Sequence, residues 1–230
     1  MRLLTIDTST SSCSVALTDG ERLLGEFLLA GGQALSSRLF DQVDSLLKAT
    51  GMEMNDLDGF GIALGPGSFT GLRIGAAAVK GMALATGKPV AGFSSLAMLA
   101  MNLPHADRPV SPLFDARKNE VYAGHYRMGV FPEQLAGDIV ISPAVLVERI
   151  TEPTLFIGEG AVRYRELITS RIGPLALFGP SSTDLPRASC GALLALAALG
   201  RGEEISPEAL APVYLRLSEA ELAKQRRENA

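Results

Sequence analysis

The chain has 230 residues, 47% of them apolar, a formal net charge of −4 and two cysteines. At this length roughly 70–75% of the unfolded surface can be buried, so folding requires no metal, and Cys13 and Cys190 alone argue against a disulfide framework. The acidic balance excludes capture of a polyanion by long-range attraction alone and leaves room only for a local basic patch.

In chain order, MRLLTIDTST reaches Asp7 before a signal-peptide core forms, and the later apolar run ASCGALLALAALG is too short to span a bilayer, so a cytoplasmic protein without a membrane segment is expected. RLLTID, CSVAL and ERLLGEFLL, the last two separated by the turn pair Asp19-Gly20, predict three antiparallel strands. Leu35, Leu39, Val43, Leu46 and Leu47 then recur at helical spacing, and Gly51 supplies a stop. DGFGIAL predicts a buried strand, residues 69 to 86 a helix, PVAGF a short strand and residues 94 to 103 another helix. After Pro109 a similar order restarts. VSPLFDA ends in Asp115 as the first strand ends in Asp7, NEVYAGHYRM predicts its hairpin partner, TLFIGEG a further strand, and residues 161 to 171 and 188 to 200 helices. Residues 129 to 137 and 173 to 187, rich in Gly and Pro, are expected as loops. No residue-level repeat is visible. The shared order nevertheless implies an α/β fold of two ribonuclease-H-like units, residues 1–106 and 107–230, with the C-terminal helix free to pack back on the first.

The stretch GPGSFTGLRIG, residues 65 to 75, raises the question of a phosphate site. A P-loop needs Lys-Ser or Lys-Thr after its last glycine, and counting from Gly67 the sixth position is Leu72; a dinucleotide fingerprint on Gly65 and Gly67 meets Thr70 where its third glycine belongs. What remains is a helix N-terminus with Ser68 as N-cap. The helix places Gly71, Gly75, Ala78, Met82 and Ala85 in one seam, four and three residues apart, while Leu72, Ile74, Val79 and Leu84 cover other faces. A helix apolar nearly all round must be covered nearly all round, and one sheet covers only part of it. A second helix is required, either a neighbour in the same chain or one from another subunit. Leu39, Val43 and Leu46 of the first helix complete the contact, and these eight residues are the predicted partner interface.

LLTIDTSTSSCSVAL, GPGSFTGLRIGAAAVKGMALATGKPVAGFSSLAMLA, DARKNEVYAGHY and PVYLR closely resemble the bacterial TsaB family, also called YeaZ. The resemblance implies two ribonuclease-H-like lobes of the actin-like ATPase superfamily. It also implies a noncatalytic dimerisation subunit of the machinery that makes threonylcarbamoyladenosine at position 37 of tRNAs reading codons that begin with A. The implied partners are TsaD, which carries the catalytic metal and transfers threonylcarbamoyl from an adenylate to the adenosine, and TsaE, an ATP-binding component. A homodimer is expected when TsaD is absent, with ATP or ADP present only in the assembled complex and tRNA reached only through it. Many relatives carry HSERLL at the start of the first helix; here the stretch is LSSRLF, with Leu35 in the histidine's place.

The other candidates each carry a plainer alternative. A metal centre of the TsaD kind needs H-x-x-x-H, whereas His105 and His125 stand twenty residues apart, so no metal site is expected. Asp7 and Asp115 occupy places where active actin-like enzymes contact phosphate and metal, but also suit carboxylates that accept turn N–H groups. Gly158 and Gly160 resemble the superfamily's adenosine-side glycines, on a G-x-G pattern that is weak by itself. Arg117 and Glu120 predict a salt-linked turn or a site; Arg226 and Arg227, in the mixed-charge SEAELAKQRREN, predict a solvated helix or a contact with a partner or RNA. Three function classes follow. The noncatalytic assembly subunit is the reading adopted; incomplete phosphate loops count against a stand-alone actin-like ATPase or kinase, and the absent histidine pair against a metalloprotease.

Overall fold

The computed structural model describes residues 1–31 and 38–216; Leu35 and the tail bearing Arg226 and Arg227 lie outside them. Strands β1 (Arg2–Asp7), β2 (Ser12–Asp19) and β3 (Arg22–Ala30) form the predicted antiparallel meander, with Asp19 paired to Arg22 across a turn in which Gly20 takes φ +57°. Helix α1 (Leu39–Thr50) stops at Gly51, whose left-handed φ of 66° lets its N–H reach the carbonyls of Leu47 and Lys48. β4 (Gly59–Gly65) lies parallel to β1, helix α2 (Phe69–Thr86) crosses over, and β5 (Val90–Ser94) lies parallel to β4, giving the order β3-β2-β1-β4-β5.

The second half repeats this plan. β6 (Val110–Arg117), β7 (Glu120–Met128) and β8 (Pro132–Ile141) form a meander, and β9 (Thr154–Ile157) and β10 (Ala176–Phe178) add parallel strands in the order β10-β9-β6-β7-β8. Helices α4 (Pro143–Val147), α5 (Glu159–Arg163) and α6 (Arg165–Ile172) stand where α1 and α2 stand in the first half. Two expected loops are therefore corrected. Residues 132–141 make an edge strand, with Pro132 at its first position, where a missing N–H is tolerated, and Ala136 and Gly137 diluting the strand signal. Within the second expected loop lies the three-residue β10.

The remaining helices cross between halves. α3 (Ser95–Ala100), shorter than predicted, sends Leu96 and Leu99 against Val110, Phe114 and Tyr126 of the second sheet. α7 (Ala188–Gly200) sends Ala195 and Ala198 against Leu3 and Ala91 of the first. The opposite face of the first sheet carries the main core, in which Leu4, Ile6, Val15, Leu17, Phe60 and Ile62 meet α1 and α2. The second sheet's outer face packs Leu113, Val121 and Phe156 on Leu146, Ala161 and Ile168. After α7 the chain returns along the first half: Ile205 bridges Val90, and the Val213 N–H donates to the Leu64 carbonyl at 2.8 Å. No helix among the described residues is long and apolar enough to cross a membrane.

Candidate functional site

The glycine-rich stretch builds a contact inside the chain. The Ser68 hydroxyl accepts the Gly71 N–H at 3.3 Å as the predicted N-cap, and the Ser68 N–H donates to the Ser9 carbonyl at 2.6 Å. The Thr8 hydroxyl donates to the Gly71 carbonyl at 2.8 Å. A Cβ on Gly71 would strike the Thr8 carbonyl, and one on Gly75 would strike the Thr8 hydroxyl and lie 3.2 Å from Ile62 Cδ1. Glycine is required here because the helix backbone lies directly on the strand-end loop.

The predicted interface is corrected accordingly. Gly75, Ala78 and Met82 are buried, and Leu39, Val43 and Leu46 are 0%, 2% and 4% exposed, in contact with the chain's own core; Gly71 is half-buried against Thr8. Only Ala85 of the eight is exposed. The small seam allows close approach to the sheet beneath, so the side of α2 left outward carries Arg73, Ala77, Gly81, Leu84 and Ala85 instead. Leu84 is 57% exposed and Phe40, at the start of α1, 60%.

Between the halves lies a cleft of about 360 Å³, lined by Ser9, Thr10 and Ser11, by Gly67 to Thr70, and by Phe114, Asp115, Arg117, Tyr122, Glu159 and Arg216. The two strand-end carboxylates stand differently to it. Asp115 lines it, with Arg117 Nη1 at 3.4 Å, Arg163 Nη1 at 3.6 Å and the Arg117 N–H donating at 3.0 Å. Asp7 is fully buried and is not among the lining residues; its Oδ1 accepts the Ser9 N–H at 3.0 Å, and Oδ2 has no hydrogen-bond partner among the described residues. Burial pushes its pKa up to about 6, opposed in part by the contacts with Ser9.

Neither candidate glycine lines the cleft. Gly158, at φ +99°, donates its N–H to Asp184 at 2.9 Å, and Gly160 lies so near Leu113 that a Cβ would meet it at 2.9 Å, so both let α5 start hard against β6. Arg117 and Glu120 pair across the β6–β7 hairpin but share no salt bridge among the described residues: the Arg117 side chain turns to Asp115, and Glu120 accepts from Arg216 at 2.9 Å. Lys118 and Asn119, both with positive φ, make the turn between them. Among the described residues no group of three or more His, Cys, Asp or Glu is placed to hold a metal.

The sequence reading missed what PVYLR does. The Tyr214 ring lies 4.7 Å from that of Phe69, its hydroxyl accepts from Arg73 Nε at 3.0 Å, and the Arg73 guanidinium sits 3.8 Å over Phe69. Through Val213, Tyr214 and Arg216 this segment buckles β4, the start of α2 and the β6–β7 turn together. Ser11 and Glu159, which join the halves by a 3.1 Å hydrogen bond, gave no signal beyond their polarity.

A family model described as TsaD, tRNA N6-adenosine threonylcarbamoyltransferase, matches residues 31–224. The tRNA threonylcarbamoyladenosine biosynthesis protein TsaB of Bacillus subtilis is 35% identical over 227 residues, 96% of each chain. The structure of YeaZ from Pseudomonas aeruginosa superposes with a TM-score of 0.78 at 34% identity, covering 93% of this chain and 99% of that one. Component A of the (R)-2-hydroxyglutaryl-CoA dehydratase of Acidaminococcus fermentans shares the fold alone, with a TM-score of 0.52 at 12% identity. Two sheets of one topology, closed by exchanged helices around a cleft, are the two lobes of the actin-like ATPase fold, and within the wider TsaD-type family this chain belongs to the TsaB (YeaZ) family.

Proposed function

We propose that this chain is a noncatalytic partner subunit in the biosynthesis of threonylcarbamoyladenosine in tRNA, binding TsaD, and with it TsaE, in the cytoplasm. The observation that carries the reading is the exposed apolar surface of the two helices on the first sheet: Leu84 stands exposed on α2 with Ala77 and Gly81, and Phe40 stands exposed at the start of α1. Small residues let a second helix pair approach, and the two large apolar side chains supply anchors. The same side, repeated on a second copy about a twofold axis, forms a homodimer when TsaD is absent. The cleft supports the same division of labour, because its carboxylate Asp115 is engaged by two arginines and Asp7 lies beneath the floor. ATP or ADP enters only with the assembled complex, and the net charge of −4 leaves tRNA to be reached through it.

Mixing the chain with its cognate TsaD and measuring mass by light scattering tests the reading: a stoichiometric complex is expected. Leu84→Glu should weaken it roughly tenfold or more by placing a charge in a desolvated contact. Normal binding by that variant would move the interface elsewhere. Threonylcarbamoyl transfer by the TsaD-free chain would end the noncatalytic assignment.

A further inference from the structure

The second lobe holds a pocket that shares no residue with the cleft. Its floor is the pair β7 and β8, where Ala123, Gly124, Ala136 and Gly137 carry at most a methyl group; Ile139, Leu146 and Ile150 complete the apolar lining, His125 lies among them, and Arg149 completes the set. The volume is about 100 Å³. Gly137 is exposed and a Cβ placed on it would meet nothing within 4 Å, so this side of the pocket opens to solvent. The β7–β8 register shifts on both sides of His125, which interrupts the pleat there.

Two polar features separate this pocket from a packing defect. The His125 ring makes no hydrogen bond among the described residues: Nδ1 is sealed from solvent, which leaves Nε2 as the nitrogen a ligand can reach. Burial lowers the pKa of this histidine, and Glu152 and Arg127 act on it in opposite directions, so at neutral pH the ring is an uncharged imidazole able to donate or accept. Arg149 is exposed and has no ion pair or hydrogen bond from its side chain among the described residues. A dry apolar cavity of about 150 Å³ accepts benzene, so this smaller space admits a body no larger than one ring or a short branched chain.

We propose that this pocket binds a small organic monocarboxylate, its apolar body of about four to six carbons on the alanine and glycine floor, its carboxylate on Arg149, and a hydrogen-bonding substituent on His125. The charge comes from the unpaired guanidinium, the size limit from the cavity and the place for a polar substituent from the accessible, unpartnered Nε2 of His125. The fit is independent of the partner-subunit reading, since none of these residues belongs to α1, α2 or the cleft.

The test is a titration of the full chain with benzoate and, separately, with toluene, followed by backbone amide shifts of His125, Gly137 and Arg149. Benzoate should saturate with a Kd on the order of 1 mM, as expected of a ligand of about nine heavy atoms, and toluene should bind at least tenfold more weakly. Adding a hydroxyl in either 3- or 4-hydroxybenzoate should tighten binding and shift the His125 ring nitrogens. Gly137→Leu should abolish binding by filling the space, and Arg149→Gln, a surface change that keeps the test usable should the first variant not fold, should weaken benzoate roughly tenfold without altering toluene. No saturation by benzoate at about 10 mM, equal binding of toluene and benzoate, or unchanged benzoate affinity in Arg149→Gln would each overturn the proposal.

Discussion

The two lobes share one strand order yet treat corresponding positions in opposite ways. At the end of β1, Asp7 is sealed in the core with one partner; at the end of β6, Asp115 meets two arginines at the cleft. Over the first sheet lie helices of 12 and 18 residues, and over the second, helices of 5, 5 and 8. The first lobe therefore presents two long helices with exposed apolar residues, Phe40 on α1 and Leu84 on α2, and the second leaves a pocket over its sheet around His125. A repeated topology fixes where the backbone goes. The environment of each side chain, and with it charge and exposure, is set by what packs above it.

Three experiments sharpen this contrast. The largest effect should come from the two sides of α2. Gly75→Leu would drive a side chain into Thr8 and Ile62 and should destabilise the chain by about 3 kcal/mol or more, lowering Tm by roughly 6–12 °C. Leu84→Glu, on the opposite side, should move Tm by no more than about 2 °C while weakening the proposed TsaD complex roughly tenfold or more. If Gly75→Leu instead melts normally, the seam does not bear on the sheet as described.

The next contrast compares the carboxylates. The folded pKa of Asp7, about 6, lies above the ordinary value of 3.8, so the folded state holds the proton more tightly and stability is lost as pH rises from about 4 to about 6, then stays lower. Removing the charge should recover part of this. Asp7→Asn should raise unfolding free energy by about 2 kcal/mol at pH 7, allowing for its unpaired amide, and by little at pH 4, in denaturant titrations across that range. Asp115→Asn removes only half-exposed ion pairs and should change stability by less than about 1 kcal/mol. A gain for Asp7→Asn that does not vary with pH would contradict the burial of this carboxyl with Oδ2 unpartnered.

The smallest effect concerns the buckle. Tyr214→Ala removes a ring stacked on Phe69 and an acceptor for Arg73, and should cost about 1–2 kcal/mol, seen as a Tm lower by roughly 2–8 °C. A variant with unchanged Tm would make the returning segment a passive covering.

Local chemistry determined much from the sequence alone. The bounds of α2 are those predicted, because Ser68 caps its first turn and Gly87 takes the left-handed φ of 67° at its end, and α1 stops at Gly51 for the same reason. The hairpin signal of the first thirty residues and the carboxylates at two strand ends were likewise legible, since turn residues and alternating apolar positions act over a few residues. β8 and β10 were not, because edge strands with proline, glycine or only three residues are held by their neighbours rather than by propensity. Periodicity showed that Gly71, Gly75, Ala78 and Met82 share one side of a helix but not which way that side points, and the structure turns it inward because only small residues let the helix lie on Thr8. The exchange of α3 and α7 between lobes, and the different surroundings of Asp7 and Asp115, arise from contacts between residues far apart in the chain, including the 3.1 Å bond between Ser11 and Glu159, and long-range packing of this kind leaves no periodic trace in the sequence.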